Sequence, residues 1–474
     1  MAPRQGLCSL ECKMKTLIFF GATGNLFTQK IFPALSSLFY HYEIRDLALI
    51  ALGRRFSKEG DYRRFLQKIH QREEKELLER VFYLPGDLEN PEIPSKLSQL
   101  INKTGKEEAI FYLSLPPSLY NSALKTIEKT LSLSSPSTKK VALEKPFGSS
   151  EKDFEELEKA LKKIFREEEI FYVDHYLGKA TVQNLIILKA ENLFIEKLLS
   201  RSFVKEVRIA VSEKEGVGER KKFYEETGAI KDVFQNHLLQ LLTLLAIDIP
   251  PLCEEDRKEC QRFLENVGQA KSHLLTEIQL PPPEAIYLGQ YQNYQEEVEN
   301  PHSQIETLVY LPLYISSERW QGVPFRMLTG KRMAERESFL EVVFHSHFPE
   351  DNLLRIEIQP EERIDLLIRV KTPGMGLYSS PTRLNFTYSG SFGANTPEAY
   401  EKIIYDLLAG DRTLFPDSTF IRHAWQIVDR LVSIIHKERI KPHLYPVDTL
   451  TPGDFWSSPP QITISRKTSH DYRE

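Results

Sequence analysis

The segment DVFQNH, at 232–237, places polar side chains in a stretch that is otherwise apolar on every side. A helix that is apolar all round is buried, and buried polar groups need hydrogen-bond partners. His237 is therefore either a core histidine whose nitrogens are satisfied or a general base whose imidazole is oriented by a carboxylate. Asp174, at the start of the other long helical run, is a candidate for that carboxylate. The spacing leaves both interpretations open.

The segment DHYLGK, at 174–179, combines groups that can bind an anion. His175 and Lys179 are four residues apart, and this spacing predicts that they share one face at the start of a helix. A cationic lysine, a histidine donor and the Tyr176 hydroxyl at a helix N-terminus would hold a phosphate through charge-assisted hydrogen bonds. The alternative is that Asp174 is only an N-cap and that the other side chains form a solvated first turn.

Glycines follow the first apolar run, in GATGNL at 21–26. A strand, a glycine turn and a helix N-terminus in this order place backbone N–H groups against a pyrophosphate, which predicts a dinucleotide site. The spacing of Gly21 and Gly24 is not the common G-x-G-x-x-G, and such turns also serve backbone geometry alone. Arg54 and Arg55 follow the second apolar run, where a NAD site usually has an acid. They favour a 2′-phosphate unless they are a solvated surface pair.

A further lysine, Lys145, stands in EKPFG at the end of another apolar run. The carboxyl ends of parallel strands form the edge at which open α/β sheets bind their ligands. Lys145 could meet substrate and cofactor together at that edge. The alternative is an ordinary surface lysine.

These segments need a framework of strands and helices to position them. Short apolar runs alternate with amphipathic stretches up to residue 173, which predicts an α/β unit with a parallel, Rossmann-like sheet over 14–173. Helical runs at 176–195 and 229–247 and many alternating segments follow, such as FLEVVFH and LLRIEIQP. They predict an α+β domain over 174–455, with a mainly antiparallel sheet backed by helices. The polar residues 456–474 are predicted to be a mobile tail.

Composition restricts the class of protein. The 474 residues carry a formal charge of −5, which gives no global attraction to nucleic acid or to an anionic membrane. No run of about 18 apolar residues could span a bilayer, and the first residues lack the apolar core of a signal peptide. The four cysteines do not have the spacing of a zinc site. We therefore expect a cytoplasmic globular protein that binds no metal, no nucleic acid and no membrane.

Taken together and in this order, the motifs resemble the glucose-6-phosphate dehydrogenase family from Thr16 to about Tyr445. RWQGVPF at 319–325 also fits the family pattern. The resemblance implies NADP as cofactor, glucose 6-phosphate as substrate, and a homodimer or homotetramer formed through the large sheet.

The resemblance also implies roles for individual residues. His237 would take the proton of the sugar C1 hydroxyl, with Asp174 supporting the imidazolium, as the sugar is oxidised to 6-phosphogluconolactone in the first step of the oxidative pentose phosphate pathway. The implied substrate-binding residues are His175, Tyr176, Lys179, Glu213, Asp232, Lys331, Arg336, Gln359 and Lys145. The implied cofactor-binding residues are Gly21, Ala22, Thr23, Gly24, Asn25, Leu26, Lys30, Arg54, Tyr112 and Lys145.

The chain departs from the family pattern at several positions. Asn25 replaces an aspartate of the glycine turn, Tyr172 an arginine and Ala180 an acid. Some members hold a second, structural NADP on the large sheet, at positions occupied here by Glu337, Glu341, Glu357, Asp365 and Leu367. Acids there would repel a phosphate, so we predict that no structural NADP binds. The competing hypotheses are an oxidoreductase for another sugar phosphate or with NAD as its main oxidant, and an inactive homologue that only binds NADPH or a partner.

Overall fold

A computed structural model describes residues 14–70, 75–105, 107–249, 257–348, 352–393, 396–413 and 415–457. The chain forms two compact units. The first contains the described residues up to Lys179 together with Pro397–Arg422, and the second contains Ala180–Thr396 and the described residues from His423 on. The predicted boundary after residue 173 thus differs from the observed one, and the return of the chain to the first unit was not predicted. Of the predicted mobile tail, residues 458–474 lie outside the described residues.

The sheet of the first unit has six strands in the order β3-β2-β1-β4-β5-β6, and every neighbouring pair is parallel. This is the strand order of the doubly wound dinucleotide-binding fold, as predicted. The strands are short apolar runs that are buried on both faces, as parallel sheets require. Their bounds are β1 Lys15–Phe20, β2 Leu47–Gly53, β3 Val81–Pro85, β4 Glu108–Leu113, β5 Thr138–Glu144 and β6 Ile170–Val173.

Helices connect these strands. The first opens as a π-helix, Phe27–Ile31, and continues as an α-helix. The α-helices are α1 Phe32–Tyr40, α2 Glu59–His70, α3 Lys75–Glu79, α4 Ile93–Thr104, α5 Tyr120–Leu133 and α6 Glu151–Lys162. Short 3₁₀-helices are found at Pro117–Leu119, Glu167–Glu169 and His175–Gly178.

The second unit opens with helices and then becomes mostly strand. A π-helix, Ile230–Leu238, lies between its third and fourth α-helices, and 3₁₀-helices are found at Gly218–Arg220 and Pro283–Ala285. The α-helices are α7 Ala180–Glu191, α8 Leu193–Leu198, α9 Lys221–Ala229, α10 Leu239–Ala246, α11 Arg257–Thr276, α12 Tyr294–Glu297 and α13 Tyr388–Phe392. The strands are β7 Val204–Ser212, β8 Ile278–Gln279, β9 Tyr287–Tyr291, β10 Leu308–Ile315, β11 Phe325–Gly330, β12 Glu337–Phe344, β13 Leu353–Gln359, β14 Arg363–Lys371 and β15 Ser379–Thr387. Of the remaining elements, α14 Ala399–Ala409 belongs to the first unit, and α15 Ser418–Glu438 begins in the first unit and ends in the second. The last two, β16 His443–Tyr445 and α16 Pro452–Ser457, belong to the second unit.

The sheet of the second unit has the order β15-β14-β13-β12-β7-β11-β10-β9-β16, with β8 paired to β10. Among the described pairs, only β7 with β11 and β9 with β16 are parallel. The prediction of a mainly antiparallel sheet is therefore confirmed. Helix α7 contacts both α10 and β13, so helices back this sheet as expected.

The core of the first unit explains why the chain returns to it. Phe19 of β1 lies in one apolar cluster with Leu35 of α1 and with Ile404 and Leu407 of α14. Helix α14 belongs to the returning segment, so this segment completes the core on one side of the sheet. The burial of apolar area there stabilises the first unit.

Candidate active site

The glycine turn after β1 has the geometry that a phosphate site needs. Gly21 has φ +92°, and a Cβ at this position would lie 2.4 Å from the backbone oxygen of Ser114. Only glycine is free of strain there. The N–H groups of Gly21 and Ala22 donate to the Leu52 carbonyl at 3.3 and 3.2 Å, which fixes the turn to the end of β2. Gly24 is exposed. The turn therefore fits the close approach of a dinucleotide phosphate.

The residues after the turn are held by neighbouring side chains. The Tyr62 hydroxyl donates to the Ala22 carbonyl at 2.8 Å, and the Thr28 hydroxyl donates to the Gly24 carbonyl at 3.1 Å. The predicted cofactor residues further along differ in exposure: Leu26 is partly buried, whereas Asn25 and Lys30 are exposed.

The two arginines after β2 differ in their surroundings. Arg54 is 77% exposed, and its Nη1 lies 3.2 Å from Oδ2 of Asp87. The Arg55 guanidinium instead lies over the Phe65 ring, 4.7 Å from its centroid. Thr23 is close to this strand end, since a Cβ at Gly53 would be 3.1 Å from its methyl group. Of the two arginines, Arg54 is thus the one beside the turn whose exposed carboxylate partner, Asp87, another anion could replace.

Tyr112 proves to be a core residue. Its side chain is fully buried, and its hydroxyl donates to Oε1 of Glu144 at 2.5 Å. Burial raises the pKa of Glu144 to about 7, while hydrogen bonds from Tyr112 and Tyr400 and the charge of Lys145 oppose the rise. Tyr112 therefore supports the end of β5, which precedes Lys145. Its phenol is buried, so any contact with a cofactor would have to use another part of the residue.

The DHYLGK segment does not fold as predicted. His175–Gly178 is a 3₁₀-helix, and Lys179 has extended geometry, with φ −74° and ψ 133°. The two cations therefore do not share an α-helical face, and this prediction was wrong. The physical cause is Gly178: a Cβ there would lie 2.4 Å from the Ala399 carbonyl oxygen of the same unit, so the chain turns against α14 and the regular α-helix begins only at Ala180.

Asp174 is the N-cap of this turn. Its Oδ1 accepts the Tyr176 N–H at 3.0 Å, as the capping alternative predicted. The His175 ring is nearly parallel to the Tyr400 ring, with centroids 6.2 Å apart. Tyr176 is buried, and Lys179 is partly exposed. Tyr400, which sequence reasoning missed, comes from the returning helix α14.

In the second unit, His237 lies in the π-helix Ile230–Leu238 and is 2% exposed. Oδ1 of Asn236 accepts the His237 backbone N–H at 2.6 Å, and Nδ2 of Asn236 donates to the Asp232 carbonyl at 3.0 Å. Nη2 of Arg220 lies 3.3 Å from Oδ1 of Asp232. A π-turn is rare and is frequent at functional sites. The predicted base thus lies on a helix turn of unusual geometry with satisfied backbone groups.

Two of the residues predicted to bind the substrate come together in this unit. Ser212, the last residue of β7, pairs with Gly330, the last of β11. The following residues, Glu213 and Lys331, are therefore neighbours, and Nζ of Lys331 donates to Oε2 of Glu213. The Lys331 ammonium also lies 5.2 Å from the centroid of the Tyr224 ring. Burial, with the charges of Asp232 and Glu213, holds the pKa of Tyr224 well above its usual range. Sequence reasoning missed this tyrosine, which contacts Lys331.

The other predicted substrate residues are less enclosed. Arg336 is exposed, with Nη1 3.9 Å from Oε1 of Glu215. Gln359 ends β13, is partly buried, and pairs with Ser338.

The acids on the large sheet form internal ion pairs. Arg355 lies 2.9 Å from Glu337, 2.7 Å from Glu341 and 3.6 Å from Glu357. Arg363 lies 2.7 Å from Glu357 and 3.3 Å from Asp365. These two arginines offset part of the negative charge of the four carboxylates, so the acids are paired and not free. The absence of a structural NADP stays a prediction.

Two of the family departures also have local explanations. Tyr172 is buried in β6 and packs edge-on against Phe147, with ring centroids 5.1 Å apart. Ala180 begins α7, and its carbonyl accepts the Tyr388 hydroxyl at 3.2 Å. None of the helices within the described ranges combines the length and apolar character that a membrane crossing needs.

Comparison with known proteins places the chain among dehydrogenases. The family model described as "Glucose-6-phosphate dehydrogenase, NAD binding domain" matches residues 18–184, and the one described as "Glucose-6-phosphate dehydrogenase, C-terminal domain" matches residues 186–456. The chloroplastic glucose-6-phosphate 1-dehydrogenase of Spinacia oleracea is 32% identical, over 92% of this chain and 81% of its own. The glucose-6-phosphate 1-dehydrogenase of Bacillus subtilis is 31% identical, over 88% of this chain and 90% of its own.

Solved structures agree with the sequence comparison. A glucose-6-phosphate dehydrogenase in complex with its substrate glucose-6-phosphate superposes with a TM-score of 0.84 at 28% identity, covering 94% of this chain and 96% of that chain. The glucose-6-phosphate 1-dehydrogenase from Mycobacterium avium gives a TM-score of 0.78 at 26% identity, covering 92% and 94%. Both units thus have counterparts in one known fold.

Proposed function

The chain belongs to the glucose-6-phosphate dehydrogenase family, and from this premise we propose that it oxidises glucose 6-phosphate at C1 to 6-phosphogluconolactone with NADP as its preferred acceptor. It is an oxidoreductase with a dinucleotide-binding domain. The observation that carries the proposal is the π-helical turn, which holds Asp232, Asn236 and His237 together as buried polar side chains.

His237 is the proposed base. A neutral imidazole near physiological pH can accept the proton of the C1 hydroxyl, and a carboxylate that faces the ring favours the imidazolium that results. We assign that carboxylate to Asp174. As the hydroxyl loses its proton to His237 and C1 loses its hydrogen as hydride, the C1–O bond becomes the carbonyl of the lactone. The nicotinamide, when bound, supplies the hydride acceptor.

The remaining substrate residues orient the sugar and hold its phosphate. Glu213 would address sugar hydroxyls together with Asp232. Lys331, which is hydrogen-bonded to Glu213, would approach the same substrate with Arg336. The cations and donors His175, Tyr176, Lys179, Arg336 and Lys145 are proposed for the substrate phosphate and its surroundings, and Gln359 for a hydroxyl. A dianionic phosphate favours such charge-assisted partners.

For the cofactor, the glycine turn is proposed for the pyrophosphate and Arg54 for the 2′-phosphate. An exposed ion pair such as Arg54 with Asp87 contributes little by itself. A phosphate can therefore replace this carboxylate at the guanidinium at small cost. NADP is proposed on this ground over NAD.

We further propose a cytoplasmic homodimer or homotetramer. Large apolar side chains are exposed on and next to the hairpin of β14 and β15, and exposed apolar patches commonly mark contact surfaces between subunits. They are Leu377, Tyr378, Leu384 and Phe392. Sedimentation of the purified chain measures the state directly, and a monomer at micromolar concentration would refute this part.

The test of the activity is the absorbance of NADPH on mixing the protein with glucose 6-phosphate and NADP. We expect a steady rise, and a smaller one with NAD or with other hexose phosphates. A flat trace, with both ligands shown to bind by calorimetry, would support the inactive homologue. Faster turnover of another sugar phosphate would support the other alternative.

A further inference from the structure

Both ends of the helix that carries His237 are held by ionisable side chains that the proposed mechanism does not use. We call this helix, Ile230–Ala246, the base-bearing helix; it consists of the π-helix and α10. At its start, Oε1 of Glu306 accepts the Ile230 N–H at 3.1 Å. Gly228 has φ +59°, and a Cβ there would lie 2.3 Å from that oxygen. The glycine therefore makes room for the carboxylate at the helix N-terminus.

The other end is capped by a buried lysine. Lys189 of α7 is 1% exposed, and its Nζ donates to three backbone carbonyls at the end of the helix. The distances are 3.2 Å to Leu244, 2.7 Å to Leu245 and 2.5 Å to Ile247. An ammonium has three N–H donors, so this contact uses all of them.

The RWQGVPF motif completes the cap. Nε1 of Trp320 donates to the Ala246 carbonyl at 2.8 Å, and Trp320 is fully buried. Oε2 of Glu196 lies 3.8 Å from the Lys189 ammonium, and Arg319 bridges Glu196 and Asp248. The carbonyls of residues 244–247 thus all accept hydrogen bonds from side chains. The last carbonyls of a helix have no partner within the helix itself.

The signs of the charges match the helix dipole. A carboxylate is favoured at the N-terminus, where N–H groups are unpaired, and a cation is favoured at the C-terminus. Burial opposes both charges: it raises the pKa of Glu306 to about 7 and lowers that of Lys189 to about 7. The charge of Lys231 beside Glu306 and that of Glu196 beside Lys189 oppose these shifts. Burial therefore offsets part of the stabilisation that the helix dipole gives these two charges.

We propose that Glu306 and Lys189 are positioning residues that fix where the base-bearing helix places His237. The inference depends on the proposed function, since it takes His237 as the base. At about 1.5 Å per residue, His237 lies about 10 Å from Ile230 and about 13 Å from Ala246 along the axis. The two clamps therefore act through the helix. A π-turn contains one residue more than an α-turn. Relaxation to α geometry would move one end relative to the other, and two fixed ends prevent this movement.

The test compares Lys189→Met with Lys189→Arg and with the control Lys197→Met, which alters an exposed lysine on α8. The methionine keeps the length of the side chain but removes its donors. We expect kcat to fall about 10- to 100-fold, because small displacements of catalytic groups have effects of this size. The KM and the dissociation constant for glucose 6-phosphate should stay unchanged. Lys189→Arg should recover most of the rate, and the control should equal the wild type.

The N-terminal clamp is tested with Glu306→Gln and its control Glu284→Gln, an exposed position. Glutamine can still accept the Ile230 N–H but lacks the charge, so a fall in kcat that the control does not share supports the proposal. If Lys189→Met does not fold, Trp320→Phe replaces it, because it removes one capping hydrogen bond without a charge. A lower kcat at unchanged KM again supports the clamp.

The outcomes separate this inference from the proposed function. If the wild type does not turn over glucose 6-phosphate, the proposed function fails. If the wild type is active and His237→Asn is not, but the folded clamp variants keep the kcat of their controls, the clamp is refuted alone. Loss of thermal stability in the Lys189 and Glu306 variants at full kcat would likewise assign these residues to folding only.

Discussion

Replacing Gly21 with alanine should damage the first unit before it affects chemistry. The residue has φ +92°, and a non-glycine residue at positive φ costs about 1–2 kcal/mol. The added Cβ would also lie 2.4 Å from the Ser114 oxygen, whereas carbon contacts are favourable at about 3.5–4.0 Å. Since that oxygen belongs to the backbone, the turn must shift by about 1 Å. We expect a total loss of about 2–4 kcal/mol, in the range of backbone strain and overpacking.

The matched control is Gly24→Ala in the same turn. Its added Cβ would meet only the Gly21 oxygen, at 3.3 Å, and Gly24 has no positive φ. The first unit has roughly 200 residues, so about 3 kcal/mol corresponds to a fall in its melting temperature of about 6–12 °C. Gly24→Ala should unfold close to the wild type, yet it should bind NADP more weakly because a methyl group occupies the exposed approach to the turn.

The assays are thermal unfolding followed by circular dichroism and NADP titration by calorimetry. Unfolding is compared without cofactor, because bound ligand stabilises the native state and would mask the difference. Equal melting temperatures for the two variants would refute the argument from φ and from the Ser114 contact. Unchanged NADP affinity in Gly24→Ala would refute the assignment of the turn to the pyrophosphate.

Three further predictions concern charged and catalytic groups. His237→Asn should keep glucose 6-phosphate affinity but lose about 10²- to 10⁴-fold in kcat, as expected for a missing general base; near-normal kcat in stopped-flow assays would contradict this role. Arg54→Ala should weaken NADP binding about 10- to 100-fold and spare NAD, whereas Asp87→Asn should strengthen NADP binding by removing the competing carboxylate; equal effects on both dinucleotides would contradict the 2′-phosphate assignment. Because burial lowers the pKa of Lys189 to about 7, the unfolded chain binds more protons than the native one above that pH, so this group adds stability as pH rises towards its usual range. Lys189→Met should lose about 1.4 kcal/mol of that increase per pH unit, measured as the wild-type minus variant difference in urea unfolding at pH 7.5 to 9.5; parallel curves would contradict the shift.

The features that the sequence predicted well are the local ones. The buried strands of the first unit are short apolar runs, and the turn at Gly21 follows directly from a glycine after such a run. Each depends on neighbours within a few residues. Pairing at larger separation produced the errors: Gly178 leaves helical geometry because it packs against Ala399, a residue more than 200 positions away. Spacing rules for helices consider only residues close in sequence, so they cannot predict such a contact.

The residues that were missed share a different cause. Tyr224, Glu306 and Lys189 are polar residues whose importance comes from what surrounds them in the fold. A signal existed for Lys189, since it follows the apolar run LIIL on α7. A lysine in an apolar helix is either at the surface or a buried partner for carbonyls, and the sequence does not distinguish the two. The same limit applied to the sheet acids, since Glu337 and Glu341 of β12 pair with Arg355 of the neighbouring strand β13.

The π-turn changes how the two interpretations of His237 should be weighed. A core histidine and a buried base were treated as alternatives, but burial suits both, and His237 is 2% exposed. What distinguishes them is the backbone. A histidine that only fills the core does not need a π-turn, which is rarer than a regular α-turn and is frequent at functional sites. Here such a turn is kept between a helix N-terminus that receives Glu306 and a C-terminus that receives Lys189. The π-turn and the side chains that cap both helix ends are the arrangement on which we base the proposed role of His237.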